Sequence, residues 1–533
     1  MTSVPCRWLL AGAAVLASFA LPLSAGSLET LTLPGPGGNG GMYLPDLQAT
    51  YPGVDWQTLD RLYIPAAHYR FIRLGNLPLR SPTNPLVITN SGGQVRVGGL
   101  DFHYVFSITG GANWKLTGRW DADEATGHPD FRGHAEGDYA NSRGTYGFLV
   151  DDAFEDTNSG LGIGGGATDF EVEMVEIRHV GFAGMSVKTD DAGDAHMENV
   201  SIHDNYIHDV GSEGVYFGST QSQPQHKISG LRFFNNRIVR TGTEAVQLGQ
   251  LGGGSEIHHN VFVWGALDWK SPFQPFQDNN GQLSSREGSV EIHHNVFIGG
   301  ASKFFILFNQ VVAGDTHLPT DRFHLHDNYF SHSRHFGAYF QSGADGVTRF
   351  TFEDNFFRAI HFHYDEHSPG QQDFNAVFRI FNTANPIEVT GNHWQGDQDL
   401  VQAAGDNVAL SGNVNGFVDF YAFADSGFPA DFDYLLLEEW ADVSTQGAAP
   451  IFYSQGDWVM HEGALYECIA PGSHTDRRPP DFPDTWAPRP LPPDDLRRDP
   501  DGPYRGIGLL DESGIFVDGF ESGDTGAWSA VSF

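Results

Sequence analysis

From Ser201 onward, apolar residues recur around asparagine in a fixed frame. Eight asparagines mark it: Asn205, Asn236, Asn260, Asn295, Asn328, Asn355, Asn392 and Asn413. Three residues before them stand Ile202, Phe233, Ile257, Ile292, Leu325, Phe352, Val389 and Leu410. Two residues after come Ile207, Ile238, Phe262, Phe297, Phe330, Phe357 and Trp394; only Asn415 breaks the rule. The spacings, 31, 24, 35, 33, 27, 37 and 21 residues, vary too much for identical modules. What repeats is strand, tight turn at Asn, strand; what varies is loop. Stacked coils need only their strands to match, so the pattern predicts a parallel β-helix, an all-β solenoid. Asn suits the turn because it tolerates left-handed backbone and its side chain can hydrogen-bond along the stack.

Opening coils are expected over about 28–120, with Pro85–Asn90 before Gly92–Val97 and Phe106–Ile108 before Trp114–Gly118. The Gly- and Asp-rich stretch 120–170 reads as loops, and regular coils should run from about 170 to 420. Composition agrees with strands and turns: 65 Gly and 41 Phe against only 30 Lys+Arg.

Residues 1–25 carry Arg7, the apolar run Trp8–Pro22 and Leu23-Ser24-Ala25, the form of a secretory signal peptide. Removing Arg7 leaves 29 basic against 67 acidic residues, a net charge of −38. Nucleic acid and anionic membrane surfaces are therefore excluded as partners. Past the signal only Cys468 remains, so no internal disulfide can form. The expectation is an exported monomer outside the cell.

The Asn ladder, the run Asn84-Pro85-Leu86-Val87-Ile88-Thr89-Asn90, and Ser201–Asp209 carry a resemblance. They resemble secreted bacterial right-handed parallel β-helix proteins of the pectate-lyase-like superfamily, across roughly 400 residues. The resemblance implies a sugar-binding groove over one sheet and leaves the chemistry open. A second resemblance covers Tyr453-Ser454-Gln455-Gly456-Asp457-Trp458-Val459, Gly463–Cys468, His474-Thr475 and Pro483 with Trp486. It is similar to the chitin-binding type-3 carbohydrate-binding module, and implies a chitin or cellulose surface as partner. Sugar C–H faces stack on flat rings, which makes Tyr453, Trp458, Tyr466 and Trp486 the candidate carbohydrate-binding residues. The expected organisation is signal peptide 1–25, β-helix 26–430, linker 431–450, module 451–490, linker 491–512 and tail 513–533.

Counting eight residues past each ladder Asn gives Glu213, Glu244 and Asp268, then Lys303, Phe336 and His363. Neighbouring coils lie about 4.8 Å apart, so a carboxylate column there suits glycoside hydrolysis, which needs one acid and one carboxylate. Tyr216 and Gln247, on the following strands, would orient a sugar ring. The rival chemistry is β-elimination, with Lys188, Asp190 and His208 as its residues and Arg240 in support; a uronate lyase can also use Ca2+, though the basic side chains could neutralise the uronate without it. Asp191, Asp194 and His196 extend the Lys188 cluster without the ligand spacing of an EF-hand. The stacked His258-His259, His293-His294 and His326 read as solvated or turn-packed, because alternation sends adjacent side chains to opposite faces and no carboxylate completes a site. No metal or other cofactor is expected for a hydrolase. Three readings remain: a glycoside hydrolase ahead of a polysaccharide lyase, and a non-catalytic glycan-binding adhesin.

Overall fold

The computed structural model describes residues 28–99, 104–119, 146–155, 158–189, 197–218, 226–268, 277, 279–299, 303–333, 337–340, 345–358, 360, 376–416, 438–440, 452–491 and 507–510. The expected signal peptide and C-terminal tail lie outside them, as do Asp190, Asp191, Asp194, His196, Phe336 and His363. Among the described residues no helix is long and apolar enough to cross a membrane.

Three long sheets, of 13, 12 and 14 strands, run side by side with strands paired in parallel between coils. Their strands follow one another in chain order: Val200–His203 in the first sheet, Tyr206–Val210 in the second, Val215–Phe217 in the third, then the next coil. This is a parallel β-helix, coiled in the right-handed sense that parallel crossovers take. The stretch expected as loops contributes full coil strands at Phe148–Glu155 and Ser159–Gly164. Two residues account for the miss: Asp151 and Asp152 look like turn residues, but Asp152 is buried, and its Oδ2 accepts from Asn158 Nδ2 at 2.7 Å.

The bore is filled by the periodic apolar positions. Phe262, Phe297, Phe330 and Phe357 form one stacked column with centroids 4.6–4.8 Å apart. Beside it runs the asparagine ladder. Asn260 Oδ1 accepts from the backbone N–H and Nδ2 of Asn236, both at 3.0 Å. Asn260 Nδ2 donates to Phe233 O, His258 O and Asn295 Oδ1 at 2.8–3.0 Å. Each side chain thus satisfies turn amides of two coils in a dry interior, where unmade bonds are costly. One detail of the expectation is corrected: the left-handed residue is the one before the ladder Asn. His259, His294 and Asp327 have φ of 55°, 56° and 51°.

The C-terminal residues form a small sheet in which Trp458–His461, Ala464–Cys468 and Trp486–Arg489 pair antiparallel. Glu438–Glu439, within the expected first linker, adds a parallel edge strand to it. The module does not stand apart. Met460, Leu465, Ile507 and Leu509 share one buried apolar cluster with Tyr206, Val239, Val261, Val263, Val296 and Ile298 of the second sheet. Gly508 N–H donates to His294 O at 3.0 Å, although residues 507–510 fall in the expected second linker. Strands such as Val261-Phe262-Val263 are apolar at every position because both faces are covered, as in buried parallel sheets.

Candidate functional site

Backbone register defines the corner between the second and third sheets. Val215, Val246 and Gly281 are paired neighbours, and two residues upstream of each stand Glu213, Glu244 and Asn279. Asn279 in turn pairs with Lys303. The column is therefore Glu213, Glu244, Asn279, Lys303: two of the three expected carboxylates are stacked neighbours, and Lys303 belongs where it was placed. Asp268 does not. Its N–H donates to Gly242 O at 2.9 Å, so it sits over Gly242, two residues before Glu244. The segment Trp264–Asp268 folds back over Thr241–Thr243 as an extra turn, and Asn279 takes the vacated row.

All three residues still belong to one corner, since Asp268 lies over Gly242, two residues before Glu244. Glu213 is buried; Ser212 Oγ donates to its Oε2 at 2.6 Å and Gln277 Nε2 to its Oε1 at 3.2 Å. Glu244 is fully buried. Asp268 keeps some exposed surface, yet desolvation lifts its carboxyl to about 7. Burial disfavours the charged form, so this group holds its proton to near neutrality. That is the property a general acid needs.

On the third sheet, Ser186, Tyr216, Gln247 and Gln282 are aligned neighbours facing away from the bore. Tyr216 and Gln247 point as expected, but both are buried and form no open floor. Lys188 Nζ lies 4.8 Å from the centroid of the Tyr216 ring. His208 does not join Lys188. It lies on the second sheet, buried, with Nδ1 2.6 Å from Asp209 Oδ2 and Nε2 3.3 Å from Glu176 Oε1. Arg240 makes two bonds to the same Asp209 carboxylate, at 2.7 and 2.9 Å. His208 and Arg240 are thus structural members of an ionic row. The module's turn closes over that row: a Cβ on Gly463 would stand 3.0 Å from His179 Nε2 and 3.4 Å from Asp209 Cγ.

The expected sugar-stacking rings divide. Tyr453 and Trp486 are buried, 5.4 Å apart edge to face, and form the module's own core with Val459 and Cys468. They are not a binding platform. A domain this small has few apolar residues for a core, and its largest rings are taken for that. Trp458 is half-buried against the cluster shared with the second sheet, and half-buried Tyr466 packs on the module core. The exposed rings of the module are Phe452 and Phe482.

The histidine reading also changes. His258, His293 and His326 stack along the first sheet at 5.0–5.1 Å. His258 Nδ1 and His259 Nδ1 approach to 2.7 Å, because the positive φ of His259 breaks strand alternation. Carboxylates do complete the array: Glu291, Asp327 and Glu353 bond His324 and His326. Further along the same face, Glu171 and Glu173 surround His203 and bind Lys115 Nζ at 2.7 and 2.8 Å. Desolvation opposes their charge, but Lys115 prevails and holds Glu171 down to about 2. Neither acidic cluster was anticipated, although His324-x-His326 and Glu171-x-Glu173 share the two-residue spacing of one strand face.

Comparison with known proteins gives no family model and no curated protein that matches. Among solved structures, the Azotobacter vinelandii mannuronan C-5 epimerase AlgE4 A-module aligns over 66% of this chain and 86% of its own, at 12% identity and TM-score 0.38. An alginate lyase from Paenibacillus aligns over 67% and 88%, at 12% and 0.27. Pectate lyase Pel9A aligns over 81% and 92%, at 9% and 0.27. Likeness at this level carries no chemistry to this chain.

Proposed function

We propose that this chain is an exported polysaccharide-active enzyme that hydrolyses glycosidic bonds at the corner between the second and third sheets. Asp268 is its general acid and Glu213 its carboxylate partner, with Glu244 stacked beside Glu213. The observation that carries the reading is the difference between the carboxyl groups. Asp268 retains a proton to about 7 on a partly exposed surface, while Glu213 is oriented by Ser212 and Gln277. Two carboxyl groups in unlike environments are what acid-assisted cleavage uses. The C-terminal module would hold chitin or cellulose, and of its rings Phe452 and Phe482 remain exposed for stacking.

β-Elimination is the second reading, favoured by one contact. Lys188 over Tyr216 sets a cation on the outward side of the third sheet, where it would neutralise a uronate carboxylate. Purified full chain incubated with neutral and uronate polysaccharides separates the readings. New reducing ends without unsaturated-uronate absorbance support hydrolysis; both signals together support the lyase. Binding without either overturns the enzyme reading and leaves a glycan-binding adhesin.

A further inference from the structure

We propose that His324, His326 and Glu291 form a binding site for one zinc-class divalent cation on the outer face of the first sheet. His324 and His326 are two apart on the strand Arg322–His326, so both project from one side of it. Their rings stack at 4.0 Å. Glu291 is the register partner of His324 on the preceding coil. Its Oε2 lies 2.7 Å from His324 Nδ1 and 3.4 Å from His326 Nε2. One donor atom from each residue lies within 4.8 Å of the other two. Ligands bound about 2.0–2.2 Å from a tetrahedral zinc ion lie roughly 3.3 Å from one another, so small side-chain rotations would enclose an ion.

The second, independent observation is the shell behind these ligands. Metal-binding imidazoles characteristically give their other ring nitrogen to a carboxylate, which fixes tautomer and ring orientation. Both do so here. His326 Nδ1 lies 2.8 Å from Asp327 Oδ2, and His324 Nε2 lies 3.0 Å from Glu353 Oε2. Arg322 Nη2 braces Glu353 at 2.9 Å and also lies 2.8 Å from His324 Nε2. Metal at His324 Nδ1 requires the proton on Nε2, which Glu353 accepts once Arg322 Nη2, a donor only, turns fully to that carboxylate.

Charge points the same way. Three carboxylates, Glu291, Asp327 and Glu353, stand against one guanidinium, Arg322, so the surroundings are acidic and suit a divalent cation. Two imidazoles and one carboxylate select the zinc class over calcium or magnesium, which prefer oxygen alone. The comparable group Glu171, Glu173 and His203 is already filled by the Lys115 ammonium. Here the fourth coordination position opens to solvent, since Glu291 and His326 keep 41% and 20% of their side-chain surface. The site joins two coils and lies on a different sheet from the proposed hydrolytic corner.

The full chain, stripped with chelator and dialysed, is titrated with Zn2+ by calorimetry and with Co2+ by visible absorbance. The expected result is one ion per chain and a Co2+ spectrum of low coordination number. His324→Gln and His326→Gln should each weaken binding at least 100-fold. Asp327→Asn or Glu353→Gln should weaken it about 10- to 100-fold through the shell behind. His258→Gln, in the same histidine stack but outside the ligand set, should bind like wild type. Zn2+ should raise the melting temperature of wild type and not of the two ligand variants. No uptake by wild type, or undiminished uptake by the His324→Gln/His326→Gln double variant, overturns the site. Should that variant fail to fold, folded Glu291→Gln decides, since wild-type affinity there also overturns it.

Discussion

Asp268 donates its backbone N–H to Gly242 O at 2.9 Å, and its Oδ2 would stand 2.9 Å from a Cβ placed on Gly242. Only glycine lets the carboxyl come so close to the turn beneath, and that closeness goes with the desolvation that keeps Asp268 protonated. A Cβ on Gly242 would also meet Gly211 O at 2.1 Å. Gly242→Ala must therefore move the coil turn, and with it the proposed acid.

Asp268→Asn should lower kcat/KM by about 10²- to 10⁴-fold, the usual share of a general acid. In wild type, activity should fall as pH rises through about 7, where Asp268 loses its proton. Wild-type stability should fall over the same pH range. A carboxyl raised in the fold stabilises fully below its unfolded value near 4 and loses that contribution as pH rises through about 7. The Asn variant should thus melt above wild type at pH 8 and level with it at pH 4, by at most about 4 kcal/mol before solvent screening. Equal melting at both pH values would show that the carboxyl is not desolvated.

Asn260→Ala should cost roughly 1–3 kcal/mol, because Phe233 O, His258 O and the Asn236 N–H all lose a buried partner. Asn413, in the last turn of the ladder and half-exposed, should cost under half as much when changed to Ala. Chemical denaturation of both variants measures the difference. Equal costs would show that burial of the ladder does not set its value.

Ending the chain at residue 437 should destabilise the β-helix. The cut exposes Val261, Val263, Val296 and Ile298 by removing Met460, Leu465, Ile507 and Leu509. Burial of each such side chain is worth about 1.5–3 kcal/mol. Calorimetry of the full chain should accordingly show one cooperative transition. Two separate transitions, with the truncated form melting like the first, would mean that the module contributes nothing to the helix.

Arg240→Ala should cost about 3–5 kcal/mol, since it leaves the buried Asp209 carboxylate with His208 alone of its two partners beneath the module. Burial works against the Asp209 charge, but Arg240 and His208 more than offset it and hold its pKa well down. Its contribution is present above the unfolded value near 4 and is lost as pH falls toward the depressed folded value. The wild-type advantage over Arg240→Ala should shrink in acid below pH 4. Urea titrations at pH 7 and pH 3 test this directly.

Trp486→Ala should unfold the module, not merely abolish sugar binding, because its ring packs on Tyr453 at the centre of a small core. A cost of about 3–5 kcal/mol is expected for such a ring. Phe482→Ala should instead leave melting unchanged and reduce retention on insoluble chitin. Retention lost in neither variant would remove the module from the binding proposal.

The sequence alone determined the solenoid and much of its register. From Asn205 onward an Asn in each turn and, in all but the last coil, an apolar residue on each flank are local requirements, so they repeat visibly. Glu213 and Glu244 came into register for the same reason: identical offsets from Asn205 and Asn236 make them stacked neighbours. Asp268 failed that count because the backbone inserts a turn at 264–268, and an offset cannot see where coil becomes loop. Only the tertiary structure decided which polar residues meet across long stretches of chain. His208 was drawn into an ionic row on the second sheet, Trp486 into a core, and Glu291 beside His324 from the next coil. The docking of the module on the second sheet is of the same kind. Its only trace in the sequence is strands such as Val261-Phe262-Val263, apolar on both faces, which show that something covers them but not what. Coil geometry is set by near neighbours in sequence and is written there; burial, charge pairing and protonation depend on what folds across, and only the assembled chain fixes them.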